Sequence, residues 1–352
     1  YAESMYVGFD QYGGKKGNRN DVDGKIFSGR KDSLISNGSS NQSYTNLNFR
    51  TFRYIELLVH TKEEALTIDD IYGTFTGYPF NKTSAFTTNN NEIKNILDIG
   101  WRTARLNAYE TYTDCPYYEQ LQYIGDTRVQ AMITYYNSPD DRLARNALNL
   151  MDHSRLTDGI TQSRYPTRNT QLISTFSLWY IGMLHDYWMY RGDETFIREK
   201  LNGVHGILSF FSNYQMADGS IKNTPNWTFV DWANGKEWYA GNPPIGTDQS
   251  SSILDLQLLW AFQWAAALEA KMGMQDYAKL YMQKANQLKA TIQKKYWSAE
   301  RKLFADTKEK DNFSQKYPHK DPTYPYGTHK AESKPGCRYC TTSGADFPHF
   351  HR

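Results

Sequence analysis

Hydrophobic positions along this chain change their period twice. Up to about residue 80 they alternate. In the stretch 54–60, Ile55, Leu57 and Val59 fall on one face while Tyr54, Leu58 and His60 fall on the other, and Phe49 and Thr51 extend the first face backwards. Successive side chains on a strand point to opposite faces, so this stretch predicts a β-strand. The stretch 68–75 predicts a partner strand that ends at Gly77-Tyr78-Pro79. Gly/Asn/Ser-rich segments at 13–18 and 36–40 punctuate shorter strands with loops. Residues 1–85 are thus expected to be the C-terminal part of a β-sandwich domain.

At Asn89-Asn90-Asn91-Glu92 the period becomes helical. Ile93, Ile96, Leu97, Trp101, Ala104 and Ala108 share one helical face behind an asparagine that suits an N-cap. A second helix is expected over 126–136, with Val129, Met132, Ile133 and Tyr136 as its stripe. Ser138-Pro139-Asp140-Asp141 then predicts a third helix start, with serine as cap and proline in the first turn. The stretch 175–189 is apolar nearly all round, which predicts a buried helix. Arg191-Gly192-Asp193 ends it and caps the next, and two further helices are expected from 252 and 274. Before the helix from 252 lies a long loop, 217–248, holding Trp227, Asp231, Trp232 and Trp238. Loops of that length in a compact domain are usually functional. About seven helices joined by alternately short and long loops suit helical hairpins wound into an (α/α)6 toroid over 86–315, preceded by part of a β-sandwich and incomplete at its far end.

After Gln315 the pattern breaks. Residues 316–352 hold five prolines and no leucine, isoleucine or valine. Such a segment cannot bury an apolar face and is expected to be irregular. A truncation or a shifted reading frame would produce such a tail. Cys337-x-x-Cys340 followed by His349-x-His351 invites a zinc reading, but zinc-binding histidines are usually three to five residues apart. No metal or other cofactor is therefore expected.

Composition narrows the partners. The formal charge of +2, 39% hydrophobic and 22% charged residues describe an ordinary globular chain with no basic surface for nucleic acid. No apolar run is long enough to span a bilayer. The N-terminus has neither a basic start nor an apolar core, so no signal peptide is visible, and its lack of an initiator methionine suggests a trimmed chain; no compartment is assigned. Aromatic content stands out at 15%, with 27 tyrosines and 9 tryptophans. These flat, polar-edged rings suit stacking against sugars, and they equally suit a large helical core.

The chemistry concentrates in residues 113–126, TDCPYYEQLQYIGD, which pack Asp114, Glu119 and Asp126 among Tyr117, Tyr118 and Tyr123 between two helical stretches. Carboxyl groups crowded together among aromatic rings hold their protons to higher pH, as a general acid must. Any single one of them is more often a solvated surface group, and Asp126 alone would serve as a helix cap.

The segment Asp114-Cys115-Pro116, then Glu119, then Gly125-Asp126, resembles the acid-bearing segment of bacterial α-L-rhamnosidases of glycoside hydrolase family 78. The resemblance continues at residues 100–105 (GWRTAR), 161–166 (TQSRYP) and 227–232 (WTFVDW), and reaches back to Phe52-Arg53-Tyr54. It implies an (α/α)6 barrel that removes terminal rhamnose from glycosides or polysaccharides with inversion. It implies Glu119 as general acid, Asp114 and Asp126 as ligands of the sugar hydroxyls, and Tyr123 as a wall for the sugar's methyl group. Asp231 and Trp232 would come from the long loop over the same mouth, with Arg164 nearby. The loop is one residue shorter than the commonest form, and Tyr117 or Tyr118 stands where a basic residue is frequent. The water-activating base of the family lies in later helices and is assigned to no residue here. A remnant that binds rhamnosides without cleaving them, or a related glycosidase with another sugar preference, are the alternatives.

Overall fold

A computed structural model of the chain describes residues 1–7, 15–16, 22–233 and 238–310. The Gly13-Gly14 segment, the stretch 311–315 and the tail with Cys337, Cys340, His349 and His351 lie outside them. The described residues form two compact units: residues 1–76 together with 116–118, and residues 77–115 together with 119–310.

In the first unit the described strands form one antiparallel sheet. Strand β1 (Met5–Val7) is central, between β2 (Lys15–Lys16) and β3 (Ile26–Phe27), with Tyr6 opposite Lys16 and Met5 opposite Phe27. The strands expected at 54–60 and 68–75 are a correction. Both segments are irregular, joined to a neighbour by a single bridge, Ala2 to Tyr54. Ile55, Leu58 and Ile71 stay exposed. Alternation describes a face that fits a sheet, but a strand forms only where a second backbone completes its hydrogen bonds. In the same unit the Arg30 guanidinium donates to the carbonyls of Tyr117 (3.0 Å) and Tyr118 (2.6 Å), and the Tyr118 hydroxyl donates to Glu3.

The second unit is helical, with seven helices among the described residues: α1 (Asn91–Leu106), α2 (Ile124–Asn137), α3 (Arg142–His153), α4 (Ser174–Arg191), α5 (Glu194–Ser212), α6 (Ser252–Lys271) and α7 (Gln275–Tyr296). A short hairpin, β4 (Trp297–Ser298) with β5 (Leu303–Phe304), closes the series. Helices α2, α4 and α6 stand side by side in one layer, while α3, α5 and α7 back them in a second. None of the described helices is long and apolar enough to cross a membrane.

Local chemistry sets the helix boundaries. Asn90 caps α1 by accepting from the Glu92 N–H, and Asp193 caps α5 by accepting from that of Phe196. Gly192 ends α4 in the left-handed conformation, φ 70°. Helix α3 starts later than its sequence suggests. Ser138 is the C-cap of α2, and Asp141 precedes the first helical residue, Arg142. The core is built on α4, whose Phe176, Leu178, Tyr180, Ile181, Leu184 and Tyr187 are buried, against Leu254, Leu258 and Phe262 of α6. Helix α2 corrects another expectation. It buries Ile124, Thr127, Ala131, Thr134 and Tyr135, while Val129 (61%) and Tyr136 (64%) of the expected stripe are exposed.

One buried carboxyl ties the second layer to the long loop. Asp255, fully buried on α6, accepts from the Ile221 N–H (2.8 Å) and from the Tyr296 hydroxyl (2.7 Å). Burial pushes its pKa up to about 7, against these two donors, which pull it down. A folded-state pKa above the unfolded value means that the folded chain binds the extra proton. Stability is therefore greatest at acid pH and falls as pH rises from about 4 to about 7. The Asp255→Asn variant should lose this slope, which urea midpoints at pH 5 and pH 8 would reveal. The full contribution is on the order of 4 kcal/mol.

Candidate active site

The segment between α1 and α2 is a tight loop that fastens itself. The Asp114 N–H donates to the Leu121 carbonyl (2.8 Å), the Gln120 N–H donates to the Cys115 carbonyl (3.0 Å), and Gln120 adopts φ 50°. Below this closure the Gln130 side chain donates to the Thr113 carbonyl (2.7 Å), and Gln122 accepts from the Tyr112 N–H while donating to the Tyr165 carbonyl. Folding the chain back brings residue 115 against residue 119. The Cys115 thiol donates to Glu119 Oε2, and the Glu119 N–H points at Cys115 Sγ at 3.3 Å.

Asp114 neighbours both other carboxyls and raises the pKa of Glu119 and of Asp126. Helix α2 starts at Ile124, and Asp126 lies in its first turn; the N-cap position belongs to Tyr123, which makes no side-chain cap bond. A carboxylate in a helix's first turn is normally favoured. Here burial and then the charge of Asp114 overcome that preference and push Asp126 up to about 7. Glu119 is exposed as a residue, yet its carboxyl lies against Cys115 and Asp114. Desolvation raises its pKa, the thiol's hydrogen bond opposes the rise, and the charge of Asp114 adds to it. Near neutral pH such a cluster retains a proton, which is the property a proton donor requires.

Tyr123 and Arg164 form one side of the cluster. Residues 122–124 pair with 163–165: the Ile124 N–H donates to the Ser163 carbonyl (3.0 Å), the Tyr165 N–H to the Gln122 carbonyl (3.1 Å), and Tyr123 bridges Arg164. The guanidinium of Arg164 donates to the Tyr123 hydroxyl at 2.6 Å and lies 5.4 Å from its ring centroid. Among the described residues its buried Nε has no hydrogen-bond partner. Burial raises the Tyr123 pKa, Arg164 lowers it, and the charges of Glu119 and Asp114 raise it, which puts this hydroxyl beside the acid loop.

Asp231 and Trp232 stand one ring further away. The Ser174 N–H at the start of α4 donates to the Trp227 carbonyl (3.1 Å), and the Thr175 hydroxyl donates to the Phe229 carbonyl. Trp232 packs on Trp227 and Phe229 and is 72% exposed, while the Asp231 carboxylate accepts from the Trp232 N–H. Phe229 meets Phe176, and Phe176 lies so close to Gly125 that a Cβ there would stand 3.0 Å from its ring. The 227–232 strap therefore reaches the acid loop through Phe229 and Phe176. Among the described residues no hydrogen bond or ring contact joins Asp231 or Trp232 directly to the three carboxyls. Cys115 is the site residue that sequence alone did not single out, because its meeting with Glu119 depends on how the loop closes.

Comparison with known proteins agrees with the helical fold. Residues 81–316 match the bacterial α-L-rhamnosidase six-hairpin glycosidase domain. Among solved structures, the chain is similar to the family 78 rhamnosidase of Bacillus sp. GL1, with 24% identity and a TM-score of 0.58 over 66% of this chain and 23% of that one. It is also similar to a rhamnosidase from Klebsiella oxytoca with rhamnose bound, at 19% identity and a TM-score of 0.57, covering 65% of this chain and 44% of that one. No curated protein shows significant similarity in sequence. This chain spans less than half the length of either of these solved rhamnosidases. The match over two-thirds of the chain and the mainly helical fold place it in the bacterial α-L-rhamnosidase six-hairpin glycosidase family.

Proposed function

We propose that this chain carries the acid-bearing part of a glycosidase that releases terminal α-linked L-rhamnose from glycosides or polysaccharides by single displacement with inversion. The observation that supports this most is the clustering of Glu119 with Asp114 and Asp126, in which burial and neighbouring charge keep protons on carboxyls. In this reading Glu119 protonates the departing glycosidic oxygen. Asp114 and Asp126 grip the sugar hydroxyls, and the ring of Tyr123, steadied by Arg164, forms a wall for the methyl group of the deoxy sugar. Asp231 and Trp232 extend the same mouth, Trp232 through its exposed ring. An inverting displacement also needs a carboxylate to activate water on the opposite face, roughly 6.5–9.5 Å from the acid. That role is assigned neither to Asp114 nor to Asp126. The rhamnose bound to the Klebsiella oxytoca rhamnosidase supports the sugar class.

Proton NMR of a digested aryl α-L-rhamnoside is the test. β-Rhamnose as the first product is expected, whereas first-formed α-rhamnose would reject inversion, and turnover of a different aryl glycoside in preference would reject the sugar assignment. A second reading is binding without cleavage, since the water-activating role is assigned to none of the described residues. A rhamnoside binder without turnover would give heat with rhamnose in calorimetry and no product in the digest.

A further inference from the structure

We propose that Cys115 is a positioning residue for the acid, its thiol holding the Glu119 carboxyl in one rotamer; this rests on Glu119 being the proton donor proposed above. Two contacts carry the inference, and they run in opposite directions. The thiol donates to Glu119 Oε2, while the Glu119 backbone N–H is directed at the same sulfur at 3.3 Å. The sulfur thus engages both ends of one residue, backbone and carboxyl. The loop makes the arrangement obligatory. Its closure by Asp114 on Leu121 and by Cys115 on Gln120 fixes residues 115 and 119 on the inside of the same turn.

A glutamate on a loop has three side-chain torsions to lose before its proton can be aimed, and Glu119 is an exposed residue. Asp114 offers a second carboxyl partner, but a carboxylate next to a carboxylate accepts a proton rather than supplying one. Of the groups around Glu119, Asp114 and Asp126 are acidic, and Tyr123 has its hydroxyl engaged by Arg164. Cys115 is the loop residue whose side chain donates to Glu119 Oε2. By donating to Oε2 it leaves the other carboxyl oxygen to carry the proton that is transferred. A thiol is a weak donor, so it directs the carboxyl without holding the proton off the substrate. The thiol also stabilises the ionised form, opposing burial and the charge of Asp114.

The test follows the carboxyl itself. In protein labelled with carboxyl-13C glutamate, the Glu119 resonance is assigned by its loss in Glu119→Gln and then titrated. Cys115→Ala should move the midpoint to higher pH, and Cys115→Ser, which keeps a hydroxyl donor, should return it towards the wild-type value. An unchanged midpoint in folded Cys115→Ala would overturn the proposal. If Cys115→Ala does not fold, site-resolved alkylation of Cys115 serves instead. At alkaline pH, where the Glu119 carboxyl is ionised and its charge opposes ionisation of a thiol beside it, Glu119→Gln should speed that reaction; equal rates overturn the pairing. In turnover, Cys115→Ala should lower kcat for alkyl rhamnosides roughly tenfold with KM little changed, and Cys115→Ser should recover most of it. Neither the titration nor the alkylation requires turnover. A pairing seen in a chain that cleaves nothing would therefore reject the catalytic reading alone, and a turnover that depends on Glu119 with an unmoved midpoint would reject the role of Cys115 alone.

Discussion

Replacing Glu119 by glutamine should lower hydrolysis of an alkyl α-L-rhamnoside by roughly 10²–10⁴-fold, the span that general acid catalysis contributes. Glutamine keeps the length and the hydrogen-bonding reach of the side chain but has no proton to give. An alkoxide leaves poorly without one, while a 4-nitrophenolate leaves nearly unaided. The nitrophenyl substrate should therefore lose far less, and the ratio between the two substrates is the diagnostic quantity. The pH dependence has a definite sign. As the proposed acid, Glu119 would work protonated; its pKa is raised by burial and by Asp114, so activity should fall as pH rises through that elevated value. In the glutamine variant this alkaline limb should disappear. A variant as active as wild type on the alkyl substrate would remove Glu119 from the mechanism. A wild-type chain that turns over neither substrate would leave the binding reading in place.

A large loss of stability is expected from Gly159→Ala. This glycine lies in the connection between α3 and α4 with φ 102°, a conformation that a side chain rarely adopts. There is also no room, since an added Cβ would stand 2.4 Å from the carbonyl oxygen of Gly206 on α5. The obstacle is backbone of a buried helix, which cannot rotate aside. Strain and displacement together should cost about 3 kcal/mol or more. Gly192→Ala is the control. It has φ 70° and open space within 4 Å of the added carbon, so it should cost only about 1 kcal/mol. Thermal melting of both variants would separate conformation from crowding. Equal midpoints would show that the loop at 159 yields where the geometry says it cannot.

Much of this architecture is legible in the sequence, and the failures have physical reasons. Helix α4 announces itself because apolar residues surround it, and α5 because Gly192 and Asp193 mark where one helix stops and the next begins. The buried face of α2 was not readable. That helix has apolar residues on two sides, Ile124, Ala131 and Tyr135 as well as Val129, Met132, Ile133 and Tyr136, and periodicity cannot choose between them. Helix α3 starts later than its sequence suggests because Ser138, a good N-cap in isolation, closes the helix before it. The alternation at 54–60 is real in the sequence, but the backbone partner that would turn it into a strand is a property of the fold. In the acid loop the three carboxyls were legible from spacing. The Cys115–Glu119 contact was not, because it depends on two backbone hydrogen bonds that residue types do not specify. The strap at 227–232 was recognisable by its aromatic residues, while its attachment through Phe176 and Phe229 belongs to tertiary packing.

Helix α1 has a consequence for how the protein behaves in bulk. Ile93, Ile96 and Leu97 of its expected core-facing stripe are 40%, 59% and 45% exposed, and Ala104 is the residue of this helix that is buried. A row of wetted aliphatic side chains on a helix lowers the concentration at which molecules begin to adhere to one another. Sulfate and phosphate, which are excluded from protein surfaces, strengthen that adhesion. The formal charge of +2 supplies little mutual repulsion against it. Solubility, rather than folding, is therefore the property most exposed to the state of α1. Polar substitutions at Ile96 should widen the range of salt and concentration in which the protein stays dispersed while leaving the acid loop untouched.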